Sequence, residues 1–277
     1  MRDVQSELDH RRIDIDRVGL RGVKLPISII SRDSSLVHTV AEVDMAVDLP
    51  HSFRGIHMSR LIEEFEVYRH GLDLKKLESL LQSFRERLEA RVSYVRVAFP
   101  FFREKIAPIS KIASPLSYPS AFSGRCDEDG ADLTMEVKVP VTTLCPCSRA
   151  LSEKGAHNQR GVIKSVVRFK GSLELEELID FIEDSASCGI YSLLKRADEK
   201  YVTERAYSRP RFVEDVIREV AKRLDSEDRV TWYTVEAESH ESIHDHEAYA
   251  FIKRDKNESK PREAQKFSGR LSASKLG

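Results

Sequence analysis

Two stretches of this chain alternate between apolar and polar positions, and a similar succession of patterns surrounds each. In the first, Val37, Ala41, Val43, Met45, Val47 and Leu49 alternate with His38, Val40, Glu42, Asp44 and Asp48. In the second, Leu133, Met135, Val137, Val139 and Val141 alternate with Thr134, Glu136, Lys138 and Pro140. A period near two marks a half-buried β-strand.

Before the first stretch lies a strand-like run, Val18 to Ile30, interrupted by Pro26 and therefore expected at a sheet edge or a bend. After it come a loop, Pro50 to Arg60, and two helices. The first helix presents Leu61, Ile62 and Phe65; the second starts at the N-cap Asp73 and carries Leu74, Leu77, Leu81, Phe84 and Leu88 at helical spacing. Strands around 91–102 and 109–124 lead to a turn, Asp127-Glu128-Asp129-Gly130. The second half follows the same order. A strand is expected at 162–170 and a helix at 173–184, capped by Ser172, with Leu175, Leu178, Ile179 and Ile182 inward. Pro210 opens another helix that buries Phe212, Val213, Val216, Ile217, Val220 and Leu224, before strands at 229–238 and 247–253.

Each half thus reads strand-strand-helix-helix-strand-strand. The pattern predicts a duplicated α+β architecture, with antiparallel sheets and helices on one face, although the halves share no obvious sequence identity. The expected divisions are an N-terminal arm (1–17), a first unit (18–125), a second unit (126–253) and a disordered tail (254–277). Such a unit leaves long strand edges and an open face, so a homo-oligomer with sites between subunits is expected.

The composition limits the partners. In 277 residues the charged fraction is 33%, yet the formal net charge is −1. Nothing global therefore favours nucleic acid or an acidic membrane surface, and an anionic ligand needs a local cluster. No window is apolar enough for a transmembrane helix, and the start, Met1-Arg2-Asp3-Val4-Gln5, is not a signal peptide. A cytoplasmic protein is expected. Its cysteines, Cys126, Cys145, Cys147 and Cys188, then read as thiols or ligands rather than disulfides, with Cys126 and Cys188 structural.

The chemistry concentrates in a few segments. Cys145-Pro146-Cys147 is followed twelve residues after Cys145 by His157, inside one loop between two strands. Two thiols and an imidazole suit a borderline metal such as Zn²⁺ or Fe²⁺. On spacing alone the choice stays open between a metal site using one or both thiols and a pair of core cysteines beside a surface histidine. The stretch from Ser239 to Glu247 holds three histidines and three carboxylates, among them Glu241 and His244. Such groups serve as ligands or as general acids and bases near neutral pH, or merely fill a polar hairpin loop. Glu199 is read in a loop before the last helix, where a carboxylate can complete a metal shell. Glu214 stands at that helix's start, a position the helix dipole already favours for an acid. Arg54, His57 and Arg60 lie at the start of the first helix, an arrangement that suits a phosphate as well as an ordinary surface.

Taken together, Leu144-Cys-Pro-Cys-Ser148, Gly155-Ala-His-Asn-Gln159, Gly55-Ile-His-Met-Ser-Arg60, Leu194-Lys-Arg-Ala-Asp-Glu199, Phe212-Val-Glu-Asp215 and Glu241-Ser-Ile-His244 resemble the prokaryotic type-B form of GTP cyclohydrolase I. The matching segments extend over nearly the whole chain. The resemblance implies two tunnelling folds (ββααββ) per chain, a homotetramer with active sites at subunit interfaces, and GTP as substrate. The implied reaction opens the imidazole ring, releases C8 as formate and gives 7,8-dihydroneopterin triphosphate for tetrahydrofolate synthesis. It also implies that Cys145, His157 and Glu199 hold a divalent metal (Zn²⁺, with Mn²⁺ or Fe²⁺ as alternatives) and that Cys147 is a second thiol beside it. Glu214 would anchor the guanine, Glu241 would protonate N7, and His244 would stand close to the metal. Arg54, Arg60 and Arg160 are the triphosphate candidates, from the same or a neighbouring subunit, and His57 joins them as substrate-binding. An archaeal relative that stops at a 2′,3′-cyclic phosphate, the tunnelling-fold nitrile reductase and a structural zinc-binding module are the alternatives. The paired Cys145/Cys147 and the His157 loop argue against the reductase.

Overall fold

The computed structural model describes residue 5 and residues 7–258. A first hairpin, β1 (Ile15–Ile30) and β2 (Leu36–Leu49), leads into α1 (Met58–Tyr68) and α2 (Leu74–Arg87), then into a second hairpin, β3 (Ser93–Ile106) and β4 (Ala113–Asp127). The second half contains β5 (Gly130–Leu144), α3 (Pro146–Leu151), β6 (Asn158–Phe169), α4 (Leu175–Glu183) and β7 (Cys188–Gly189). It continues with α5 (Arg196–Ser208), α6 (Val213–Ser226), β8 (Val230–His240) and β9 (Glu247–Asp255). Of the expected arm and tail, residues 1–4, 6 and 259–277 lie outside the described residues, and β1 and β9 take up the inner ends of both.

The strands form one nine-stranded antiparallel sheet in the order β1-β2-β3-β4-β5-β6-β8-β9, with β7 paired to β5. The halves are joined by the β4–β5 ladder, from Ser120↔Val137 to Asp127↔Gly130. Gly130 has φ +121°, a conformation that side-chain-bearing residues rarely adopt, so this tight turn needs its glycine. One face of the sheet is apolar and carries the helices. Leu77, Leu80, Leu81 and Phe84 of α2 are buried beside β3, β4 and β5, and Val216, Ile217, Val220 and Leu224 of α6 beside β8 and β9. Each such side chain contributes about 1.5–3 kcal/mol of hydrophobic free energy. The opposite face is polar and is laced by cross-strand pairs, Arg96–Glu136 at 3.4 Å, Lys164–Glu136 at 3.8 Å and Arg168–Asp132.

Several expectations are corrected at the level of single residues. Ile62 is 36% exposed; Leu61 and Phe65, one turn apart, are the residues of α1 that meet the core. Phe212 is 40% exposed because it sits at the N-cap of α6 rather than on its buried face. Ser172 does not cap α4. That place belongs to Glu174, to whose Oε1 the Ser172 hydroxyl donates at 2.8 Å. The strand expected at 109–124 begins at Ala113, because Lys111 adopts a left-handed conformation (φ 60°) in the preceding turn. Asp48 is buried, not solvated. It accepts the Arg91 and Val92 N–H groups at 2.8 and 2.7 Å and the Arg91 guanidinium at 2.8 Å. Pro26 does not interrupt β1, which is an edge strand and tolerates it.

Arg229 fastens the start of α4 to the turn before β8, bonding Glu227 at 2.7 Å and Glu177 at 3.1 Å. Its guanidinium draws the Glu227 carboxyl down to about 2, against a smaller opposing effect of burial. A depressed carboxyl stabilises the fold fully above its unfolded value of 4.5 and loses that stabilisation as pH falls towards about 2. In acid-unfolding titrations Glu227→Gln is therefore expected to reduce the loss of stability across that window. An unchanged slope would remove this pair from the acid response.

Candidate active site

The last pair of the β5–β6 ladder is Leu144↔Asn158, so Cys145 and His157 leave neighbouring strands side by side. The Cys145 N–H donates to the His157 carbonyl at 3.1 Å and continues the ladder by one rung. Pro146 opens α3 and Cys145 caps it, its Sγ accepting the Ser148 N–H at 3.4 Å. The Ser148 hydroxyl in turn accepts the His157 N–H at 3.2 Å. The loop is therefore closed by its own small polar residues. Cys147 stands exposed on α3.

The ring of His157 is oriented on one side. Its Nδ1 faces Gln159 Oε1 at 3.1 Å and Ser242 Oγ at 3.4 Å. An amide oxygen only accepts, so the tautomer that satisfies this contact has its proton on Nδ1 and its lone pair on Nε2, the form suited to a metal. Ser242 lies in the β8–β9 loop, which brings Glu241 and His244 into the neighbourhood of His157. At the base of that loop His240 and Glu247 pair with each other at 2.7 Å, and within it the exposed rings of His244 and His246 stack at 5.1 Å.

A third segment closes on Leu144. Its N–H donates to the Ser187 hydroxyl at 3.2 Å and its carbonyl accepts the Arg211 N–H at 3.0 Å. Arg211 precedes Phe212, the N-cap of α6, so the chain entering the turn with Glu214 and Asp215 is tethered one residue from Cys145. Arg149 of α3 rests over the Tyr207 ring of α5 at 4.8 Å. Arg160 is exposed on β6, opposite Thr142. Close approach of β6 and β8 beside the loop depends on Gly161, where a Cβ would come within 2.9 Å of the Glu238 carbonyl.

Glu199 lies in the first turn of α5 and is exposed, which corrects its expected place in a loop. Only Asp198 and Ala206 of α5 are buried, so the helix has no apolar stripe to betray it. Burial would raise the Asp198 carboxyl, but hydrogen bonds from Ser110, Lys195 and Ile109 outweigh that and hold it well below the usual range. Arg54, His57 and Arg60 lie at the start of α1, which packs on α2 and β1, the far edge of the sheet. Arg54 pairs with Glu7 at 3.3 Å, and Arg60 donates to the Arg87 carbonyl at 3.2 Å. One chain thus gathers Cys145, Cys147, His157, the 241–246 loop and the start of α6, and holds the first-half residues elsewhere. Ser187 and Arg211 carry no pattern that sequence reading could have caught.

Among the described residues, no three His, Cys, Asp or Glu groups come together to hold a metal ion. Cys145 and His157 nevertheless have the donor chemistry of two such ligands: a thiol sulfur receiving an N–H and an imidazole oriented through its Nδ1.

The single antiparallel sheet with helices on one face is the fold of solved uricases. Uricase from Arthrobacter globiformis aligns with a TM-score of 0.52 at 7% identity, over 90% of this chain and 96% of that one. Urate oxidase from Bacillus sp. TB-90 aligns at 0.51 and 8%, over 87% and 100%. Likeness at that identity defines the fold alone. The sequence goes further, since residues 1–250 match the family described as type I GTP cyclohydrolase folE2. GTP cyclohydrolase FolE2 from Methylococcus capsulatus is 49% identical over 254 residues, covering 92% of this chain and 95% of that one. The FolE2 proteins of Nitrosococcus oceani and Pseudothermotoga lettingae are each 47% identical, over 254 and 258 residues, with 92% and 93% of this chain and 95% and 100% of theirs covered. The chain belongs to the FolE2 family of type I GTP cyclohydrolases.

Proposed function

We propose that this chain, a GTP cyclohydrolase I by family, opens the imidazole ring of GTP at the Cys145–His157 loop. C8 leaves as formate, and re-closure gives 7,8-dihydroneopterin triphosphate, the first step towards tetrahydrofolate. One observation carries the reading: the ends of β5 and β6, the 241–246 loop and the start of α6 meet around Leu144, Cys145 and His157.

Cys145, His157 and Glu199 are the proposed ligands of a divalent metal. Zn²⁺ suits a thiol, an imidazole and a carboxylate, and Mn²⁺ or Fe²⁺ accept the same set. When bound, such an ion supplies Lewis acidity and lowers the pKa of water towards about 7. The other groups act on the base. Purine C8 is a poor electrophile until N7 is protonated; Glu241 gives that proton, and His244 and Cys147 hold or move protons beside C8. Glu214, in the first turn of α6, accepts the N1–H and 2-amino donors of guanine, a pair that adenine lacks. Arg160 meets the triphosphate, together with Arg54, His57 and Arg60.

Those three stand apart from the loop within one chain, which supports their arrival from a neighbouring subunit of a homotetramer with interfacial sites. The sheet edges β1 and β9, each paired on one side among the described residues, offer the means of assembly. The same reading divides the chain into two tunnelling-fold units, 18–125 and 126–253, in a cytoplasmic enzyme. No helix of the described residues is long and apolar enough to cross a membrane.

The test is turnover. Full-length protein loaded with Zn²⁺ or Mn²⁺ and given GTP is expected to release formate with a dihydroneopterin product. Metal-loaded protein that binds GTP and releases no formate would overturn the reading.

A further inference from the structure

The β3–β4 hairpin belongs to the first half of the chain, yet its tip is fastened to the second. Asp198, fully buried, lies at the centre. Its Oδ1 accepts the Ile109 and Ser110 N–H groups at 2.7 and 2.8 Å, and its Oδ2 accepts the Ser110 hydroxyl at 2.6 Å and the Lys195 N–H at 2.9 Å. Capping α5 needs only the bond to Lys195. The other three commit the carboxylate to the hairpin.

More contacts run along the same seam. Arg103 donates to Asp180 at 2.6 Å, Lys105 pairs with Glu183, and the Tyr118 hydroxyl donates to Glu183 at 2.8 Å. Lys105 also lies over the Tyr191 ring at 4.5 Å, and the Ser192 hydroxyl donates to the Pro115 carbonyl at 2.8 Å. Gly189 leaves room for this: a Cβ there would come within 2.7 Å of Lys105 Nζ. The segment from α4 to the first turn of α5 is thereby held along its length by an element distant in sequence. Glu199 is the next residue after Asp198 and, unlike it, is exposed. A rigid anchor one residue away fixes where its carboxylate emerges.

We propose that the tip of the β3–β4 hairpin is a clamp that positions Glu199, with Asp198 as its positioning residue. The inference rests on Glu199 being a metal ligand. Zn²⁺ affinity, measured on full-length protein by competition with a chelator, and the absorption spectrum of the Co²⁺-loaded protein read it directly. Asp198→Asn is expected to weaken Zn²⁺ binding by roughly 10–100-fold and to alter the Co²⁺ spectrum. Ser110→Ala, which removes one hydroxyl donor and leaves the three backbone bonds, is expected to do the same to a smaller degree, and it stands in should Asp198→Asn fail to fold. If these variants lower the melting temperature but leave affinity and spectrum unchanged, Asp198 is a helix cap and nothing more. Glu199→Ala separates the two ideas. No effect of that change on Zn²⁺ binding would sink the ligand assignment and the clamp with it. A large effect, with Asp198→Asn and Ser110→Ala silent, would sink the clamp alone.

Discussion

Cys147→Ala is expected to keep its metal and its fold while releasing formate from GTP roughly 10²–10⁴-fold more slowly, the usual loss for a missing proton-transfer group. Cys145→Ala is expected to lose the metal and the activity together. The two thiols sit differently. Cys145 is the cap of α3, with its sulfur bonded to the Ser148 N–H and its backbone bonded to His157. Cys147 is exposed, two residues further on. Cys145 has extended backbone ahead of α3 and Cys147 lies within the helix, so the two thiols are presented from different backbone settings. Bound metal per chain, melting temperature and formate release, measured on both variants, separate the roles. Loss of metal from Cys147→Ala, or activity within a few-fold of the parent, would overturn the division.

Glu214→Gln is expected to lower kcat/KM for GTP by roughly a hundredfold, about 3 kcal/mol, the size of two weakened charge-assisted hydrogen bonds. A carboxylate accepts from both guanine donors, whereas a carboxamide places its own N–H₂ against one of them. Glu214 is exposed on the first turn of α6, and the bond from Arg211 to Leu144 sets that turn beside the thiols. The position is open to a ligand and is not part of the core, so stability should change little. Parent-like kcat/KM in this variant would remove Glu214 from base recognition.

Most strands and the long helices were legible because their patterns are periodic. The alternation of Val43, Met45 and Val47, and the helical spacing of Leu77, Leu81 and Phe84, correspond to buried faces. What escaped has no period. Asp198 is buried through four hydrogen bonds, so α5 looked like a loop. Asp48 looked solvated because its partners, Arg91 and Val92, lie far along the chain. At the candidate site, Cys145, Cys147 and His157 were visible as a motif, but the link from Ser242 to His157 and the bonds of Ser187 and Arg211 to Leu144 arise from tertiary packing. No local spacing encodes them.

Leu144 has both backbone groups engaged, one by the segment after α4 and the other by the segment before α6. The thiol end of the loop is thereby tied to both of those segments. Opposite it, the largely exposed 241–246 loop reaches His157 through the Ser242 hydroxyl, 3.4 Å from its Nδ1. The thiol side thus has two backbone ties to the second half, and the loop side meets His157 through a side-chain hydroxyl. If a purine enters here, as the proposed function requires, the loop that carries Glu241 and His244 is the side expected to yield.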